Sequence, residues 1–269
     1  IGPVLAAEAG IAYVTAEASY SARRDRDGWA GLQALLAEGL RQAAVNICMT
    51  RRDRAGLEEA VPGARFAMLS PFIEPAPFLA VEPSPQARRL VCVAMMRSGD
   101  KLDSFRMLAQ ALGRLDRLEW RLSIIGDGPA SAEVRGAFAS LPESRIDWLG
   151  ERRPSEIAAI LSQSAVYVWP GCGEAYGLAY LEAQAAGLPV VAQATAGVPE
   201  VVMHGRTGVL TPAGDITAYA AAIADLLEND SRREAMARAA RDFVRDERSL
   251  AQASATLSCI LETYVKGAR

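Results

Sequence analysis

From residue 90 onward, short apolar runs rich in β-branched residues alternate with stretches of helical period. No other feature constrains the fold as much. The runs fall at 90–95, 121–125, 145–149, 165–169, 189–193 and 207–210. Helices fit between them at about 102–116, 130–139, 154–163, 177–187 and 198–204. Six apolar strands alternating with helices predict an α/β fold with a parallel, doubly wound sheet. Helices near 215–228, 231–245 and 248–265 close the chain.

A shorter α/β series precedes it. Strands are expected at 11–17, 46–50 and 65–70, with helices at 28–44 and around 53–60. Leu32, Leu35, Leu36 and Leu40 mark one face of the first helix. This is about half a domain, and the opening IGPVLAAEAG, without an initiator methionine, reads as entry in mid-domain. Residues 71–87 carry five prolines and are expected to form a linker, because proline resists both helix interiors and central strands. The expected division is therefore 1–78, a partial α/β domain; 79–247, a Rossmann-like domain; and 248–269, a terminal helix that packs back toward the first segment.

Composition narrows the function classes. Apolar residues make up 51% and charged residues 23%, as in globular proteins. A formal net charge of −3 gives no basic field for nucleic acid, and a polyanionic ligand would need a local cluster of arginine or lysine. No apolar run approaches the ~18 residues of a membrane span, and no signal peptide is visible. Cys48, Cys92, Cys172 and Cys259 lack metal-site spacing. Cys48 and Cys92 fall in apolar runs and read as buried hydrophobes, which suits a reducing cytoplasm. The chain has 27 arginines but two lysines, Lys101 and Lys266. Lys266 reads as a solvated tail residue. Lys101 draws more interest, because an ammonium is not freely replaced by a guanidinium.

In a doubly wound sheet, ligands bind beyond the carboxyl ends of the strands, so the residues after each strand carry the function. After the first come Arg97 and Lys101, two cations able to neutralise a diphosphate but, taken alone, more readily read as solvated surface charges. After the second comes Gly126-Asp127-Gly128-Pro129, a tight turn that either lines a ligand or simply opens a helix. After the third comes the charged loop Glu151-Arg152-Arg153. After the fourth comes PGCGEAYGLAYLEAQAAG, the strongest signal. Its glycines permit close backbone approach, and a helix starting near Gly177 would aim free amides and a positive dipole end into the crevice. Glu174 precedes that helix. Glu182 sits inside its apolar stretch, where a carboxylate needs hydrogen-bond donors such as sugar hydroxyls. Glu200 opens the next helix, and His204, the one histidine, reads as a cap at that helix's end before Gly205.

The run GEAYGLAYLEAQAAGLPVVAQATAGVPEVVMHGRTGVLTPAGD resembles the donor-site signature of family 4 glycosyltransferases. It carries their two glutamates, Glu174 and Glu182. GDGP at 126–129 and WLGERRPSEIAAILSQSAVYVWP at 148–170 match in order and spacing, and the likeness covers about 88–245. The resemblance implies a GT-B fold and a retaining transfer of sugar from a nucleoside-diphosphate sugar, with no cofactor and no metal. Arg97 and Lys101 match the basic pair that holds the diphosphate. The family loop is usually one residue longer between them. Glu174 matches the glutamate that contacts the donor sugar, Gly177 and Leu178 the helix start whose amides meet phosphate, and Glu182 the glutamate that binds the ribose. Gly126 and Gly128 belong to the donor-lining turn, and the loop around Arg152 matches the region that meets the base. PFIEPAPF resembles the family's hinge, with Glu74 in place of its aspartate and no role attached.

The resemblance leaves the acceptor open among glycan, lipid and small molecule. It also implies that the acceptor site and a usual catalytic-site histidine lie in N-terminal parts this chain lacks. A peripheral membrane contact would come from those parts, and this chain is expected to bind donor nucleotide at best. Rival readings are a GT-B nucleotide-sugar epimerase, which the shortage of histidines disfavours, and a non-catalytic nucleotide-sugar-binding module. A nicotinamide dehydrogenase would need a GxGxxG after the first strand, which is absent.

Overall fold

A computed structural model of the chain describes residues 1–266; the Lys266 side chain and residues 267–269 lie outside the described part. Two compact units divide it. One comprises Ile1–Pro71 and the chain from Ala251, and the other Phe72–Leu250.

The first unit holds a three-stranded parallel sheet of β1 (Val14–Ala16), β2 (Val45–Cys48) and β3 (Phe66–Met68), in that order. Helices α1 (Gly2–Ala9), α2 (Ala30–Gln42) and α3 (Arg51–Ala60) belong to it, and α3 starts where the Thr50 hydroxyl accepts the Asp53 amide, a regular N-cap. Leu40, Cys48, Leu57, Val61 and Phe66 form its core. Asn46, 1% exposed on the central strand, is satisfied by the Thr15 hydroxyl and by donating to the Leu40 and Arg65 carbonyls. Helix α1 was not expected. It lies in a stretch of alanine and small residues whose pattern carries no amphipathic period.

The second unit is a six-stranded parallel sheet: β4 (Arg89–Val93), β5 (Arg121–Ile125), β6 (Ile146–Gly150), β7 (Val166–Val168), β8 (Val190–Gln193) and β9 (Gly208–Thr211). The spatial order is β6-β5-β4-β7-β8-β9. The winding therefore reverses between β4 and β7, and the crevice of a doubly wound sheet opens there. Helices α4 (Asp100–Leu112), α5 (Ser131–Ala137), α6 (Pro154–Ser162), α7 (Leu178–Ala185), α8 (Ile216–Glu228) and α9 (Asp230–Glu247) cover the sheet. The fully apolar strands are buried on both faces, as Leu90, Val91, Cys92, Val166, Tyr167, Val190 and Val191 show. Burial holds the Cys48 thiol up at about 11 and raises that of Cys92 still further, so both act as small hydrophobes. All four cysteines are free.

The proline-rich segment departs from the linker expectation. It contains a short helix, Ala76–Leu79, that buries Phe78, and Ile73 is bridged to Ser249. Residues 72–78 therefore belong with the six-stranded unit, not with the segment before it. Proline is tolerated in the first turn of a helix, where its missing N–H costs nothing, and Pro75 and Pro77 sit there. Farther along, Arg241 donates to the Val81, Ala185 and Leu79 carbonyls at 3.3, 3.1 and 2.6 Å, and the Ser84 amide donates to Ser162 O at 2.8 Å. Glu74 accepts the Ala76 amide and serves as a local cap. The final helix α10 (Leu250–Leu261) buries Ala253 and Ile260.

Candidate active site

A cleft of about 360 Å³ opens at the carboxyl ends of β4, β5 and β7. Lys101, Gly126, Arg152, Glu174, Gly177 and Leu178 line it, with Asp127, Glu151, Trp169 and Tyr180. Arg97, Gly128 and Glu182, also expected at the donor site, are not in its wall.

Lys101 is not a loop residue, as the sequence suggested, but stands in the first turn of α4. Gly99, at φ +78°, supplies the turn that ends the preceding loop. That places the ammonium 2.5 Å from Glu174 Oε2, with the two side chains 20% and 17% exposed. The same oxygen accepts the Trp169 indole N–H at 3.3 Å, and the ammonium lies 5.4 Å from the centre of the Trp169 ring. Trp169 is 2% exposed and meets Phe105 edge-on at 4.8 Å. Glu174 is therefore held from two sides by groups seventy-three and five residues away. Arg97 is exposed, and among the described residues its guanidinium makes no ion pair or side-chain hydrogen bond.

The glycine-rich loop is shaped by what it touches. The Cys172 amide donates to Ser104 Oγ at 2.9 Å, and Thr195 Oγ1 donates to Gly171 O at 3.1 Å. Buried Gln193 donates to Pro170 O at 3.2 Å and accepts the Gly214 amide. Gly177, at φ +74°, is the N-cap of α7; a Cβ there would lie 2.7 Å from Cε2 of buried Tyr180. The first amides of a helix lack intrahelical partners, and Gly177, Leu178 and Ala179 present this helix start to the cleft. At Gly126, φ +133°, a Cβ would lie 2.0 Å from the Ala94 carbonyl, so only glycine lets β4 and β5 end this close together.

Glu182 lies one turn beyond Leu178 on α7. It is half-buried, and burial pushes its carboxyl above the usual carboxylate range. Its side chain makes no hydrogen bond or ion pair among the described residues. Arg152 is exposed and donates to the Glu151 carbonyl at 2.9 Å. Its neighbour Arg153 is engaged with Glu156 at 2.9 Å. His204 does not cap a helix. The helix Val198–Val201 ends before it, and His204 Nδ1 accepts the Leu210 amide at 3.0 Å, which ties the turn to β9. Among the described residues, no group of three or more histidine, cysteine, aspartate or glutamate side chains is placed to hold a metal ion. Among the described residues, no helix is long and apolar enough to cross a membrane.

A Rossmann-like sheet with a switch-point cleft in one unit and a parallel α/β sheet in the other are the elements of the GT-B type of architecture. Residues 87–229 match the family described as glycosyl transferases group 1. The match spans more than half of the chain, and the protein belongs to that family. It is 31% identical over 142 residues to sulfoquinovosyl transferase SQD2 of Arabidopsis thaliana, covering 52% of this chain and 27% of that protein. It is 30% identical over 149 residues to N-acetyl-alpha-D-glucosaminyl L-malate synthase of Bacillus anthracis, covering 55% and 39%. The chain thus spans well under two thirds of these relatives. Among solved structures, the fold superposes on HepE of Anabaena in complex with UDP with a TM-score of 0.78 at 17% identity, covering 97% of this chain and 75% of that one.

Proposed function

We propose that this chain forms the donor-binding side of a retaining, family 4 type glycosyltransferase that moves a sugar from a nucleoside-diphosphate sugar to an acceptor. The observation that carries the reading is the convergence of Lys101, Glu174 and the amino end of α7 on one cleft at the sheet's switch point. The chemical task is to stabilise a departing diphosphate. Lys101, the α7 amides and, from the preceding loop, Arg97 bring positive potential to that place. A diphosphate competes with Glu174 for Lys101, and the carboxylate then accepts hydroxyls of the donor sugar while the Trp169 indole still holds it. Glu182 accepts ribose hydroxyls, the donors its half-buried carboxylate lacks. Arg152 and Glu151 border the end of the cleft that takes the base.

The proposal includes no resident cofactor or metal, since fixed cations and helix amides meet the diphosphate. Retention follows from attack on the face the diphosphate leaves, with Glu174 and Glu182 both occupied in binding the donor. The acceptor is a glycan, a lipid or a small molecule, and a lipid would bring the protein to a membrane surface. The free, buried thiols of Cys48 and Cys92 support placement in the cytoplasm. UDP is the first nucleotide to test, because the Anabaena structure is a complex with it. A thermal-shift panel of UDP-, GDP- and ADP-sugars should show one base class raising Tm, because a ligand that binds only the native state stabilises it by mass action. If no nucleotide shifts Tm at millimolar concentration, the donor-site reading is wrong. For retention, the anomeric configuration of the product should equal that of the donor.

A further inference from the structure

The opposite edge of the same sheet carries a second, chemically distinct cleft of about 430 Å³, whose wall includes Arg88, Arg89, Glu119, Trp120, Arg121 and Arg145. We propose that it is a binding site for an oxyanion of the phosphate or sulfate class. Its wall holds four guanidinium groups against one carboxylate, that of Glu119, whose side chain is 84% exposed. The formal charge of the whole chain is −3, so this concentration of positive charge is local.

The guanidinium groups are held in place. Arg89 and Arg121 open the adjacent parallel strands β4 and β5 in direct register. Like charges paired across strands repel, and a single carboxylate relieves them: Asp147 accepts from Arg89 at 3.3 Å and from Arg121 at 3.2 Å. Arg89 also reaches the hydroxyl of buried Ser123 at 3.3 Å and the Gln86 amide oxygen at 2.9 Å. Arg145, just before β6, donates to Leu118 O at 2.9 Å and stacks over Trp120 with 5.1 Å to the ring centre. Trp120 is 3% exposed and anchored through its own N–H to Leu115 O. Among the described residues Arg88 pairs only with Glu119, at the exposed rim, where such a pair contributes little.

The backbone adds a further sign. Arg88 adopts φ +65°, a left-handed conformation that costs a non-glycine residue energy, and its carbonyl accepts the Arg121 amide at 3.0 Å. Two carboxylates thus serve four guanidinium groups that each carry five N–H donors. Arg88, Arg121 and Arg145 spend few of those donors within the protein, and the surplus matches the oxygens of a phosphoryl or sulfate group.

The test titrates pyrophosphate, with inorganic phosphate as the smaller probe, by calorimetry into wild type, Lys101→Met and the double variant Arg88→Gln/Arg121→Gln. Arg88 and Arg121 are more than half exposed, so the double variant keeps its fold. Lys101→Met removes the ammonium at the other cleft and should leave binding here unchanged. Each guanidinium lost should weaken pyrophosphate by about tenfold, with binding further reduced by added salt. Co-sedimentation with phosphatidylglycerol vesicles, against phosphatidylcholine controls, tells a lipid headgroup from a free anion. Vesicle binding lost in the double variant assigns the site to lipid; pyrophosphate binding that survives Lys101→Met and is lost in the double variant, without vesicle binding, assigns it to a soluble ligand. Wild type that binds neither probe, or a double variant that binds as wild type does, overturns the proposal.

Discussion

Replacing Glu182 with glutamine should make the protein more stable and a poorer nucleotide binder. The side chain is half-buried on α7 with no hydrogen-bond partner among the described residues, and burial alone pushes its carboxyl upward. A carboxylic acid whose native pKa lies above its unfolded value holds a proton in the folded state that the unfolded state has lost. Its effect on stability is therefore most favourable below the ordinary glutamate range and fades as pH rises through the raised value. Glu182→Gln has nothing to titrate, so the two proteins should match at acid pH and separate as pH rises. An unsatisfied buried polar group costs about 1–3 kcal/mol, and partial exposure holds the gain near the lower end, about 1 kcal/mol at neutral pH. Nucleotide binding should move the other way. A hydrogen bond to a charged group contributes about 1.5–3 kcal/mol, so affinity for the nucleotide should fall roughly 10- to 150-fold. Wild-type affinity should itself weaken as pH falls through the raised carboxyl pKa, while that of the variant stays flat. Urea denaturation across pH, paired with calorimetric titration of UDP, measures both arms. A variant that loses stability at neutral pH, or binds UDP like wild type, refutes the reasoning.

Three other substitutions probe separate parts of the account. Trp169→Phe keeps the ring packing but removes the indole donor to Glu174; affinity for UDP-sugar should drop about 3- to 10-fold while that for UDP holds, by paired titrations. Gly126→Ala forces a Cβ against the Ala94 carbonyl and should cost at least about 3 kcal/mol in thermal denaturation. Arg241→Met leaves three carbonyls without their donor and should cost about 2–3 kcal/mol, with faster proteolysis within residues 72–87.

The strand–helix alternation of the second unit was plain in the sequence because parallel strands buried on both faces read as continuous apolar runs. The helix start at Gly177 was legible too, since a glycine-rich turn before an apolar helix has few other uses. The Lys101–Glu174 contact was not. Its partners are seventy-three residues apart, and neither type nor spacing of residues announces such a pair. The part played by Trp169 was hidden for a related reason: a tryptophan ending a strand reads as core, and only the direction of its N–H gives it a second task. Five prolines suggested a linker at 71–87, where prolines at a helix start and carbonyls tied by Arg241 make an ordered segment instead. The basic cleft is not legible in the sequence, because its arginines are scattered among many others and only strand register brings Arg89 and Arg121 side by side.

A structure of this protein with a bound nucleoside diphosphate tests the central claim most directly. The account predicts the phosphates against the Gly177–Leu178 amides, Lys101 turned from Glu174 toward them, and the ribose hydroxyls on Glu182. A nucleotide seated elsewhere, with the Lys101–Glu174 pair intact, would contradict it.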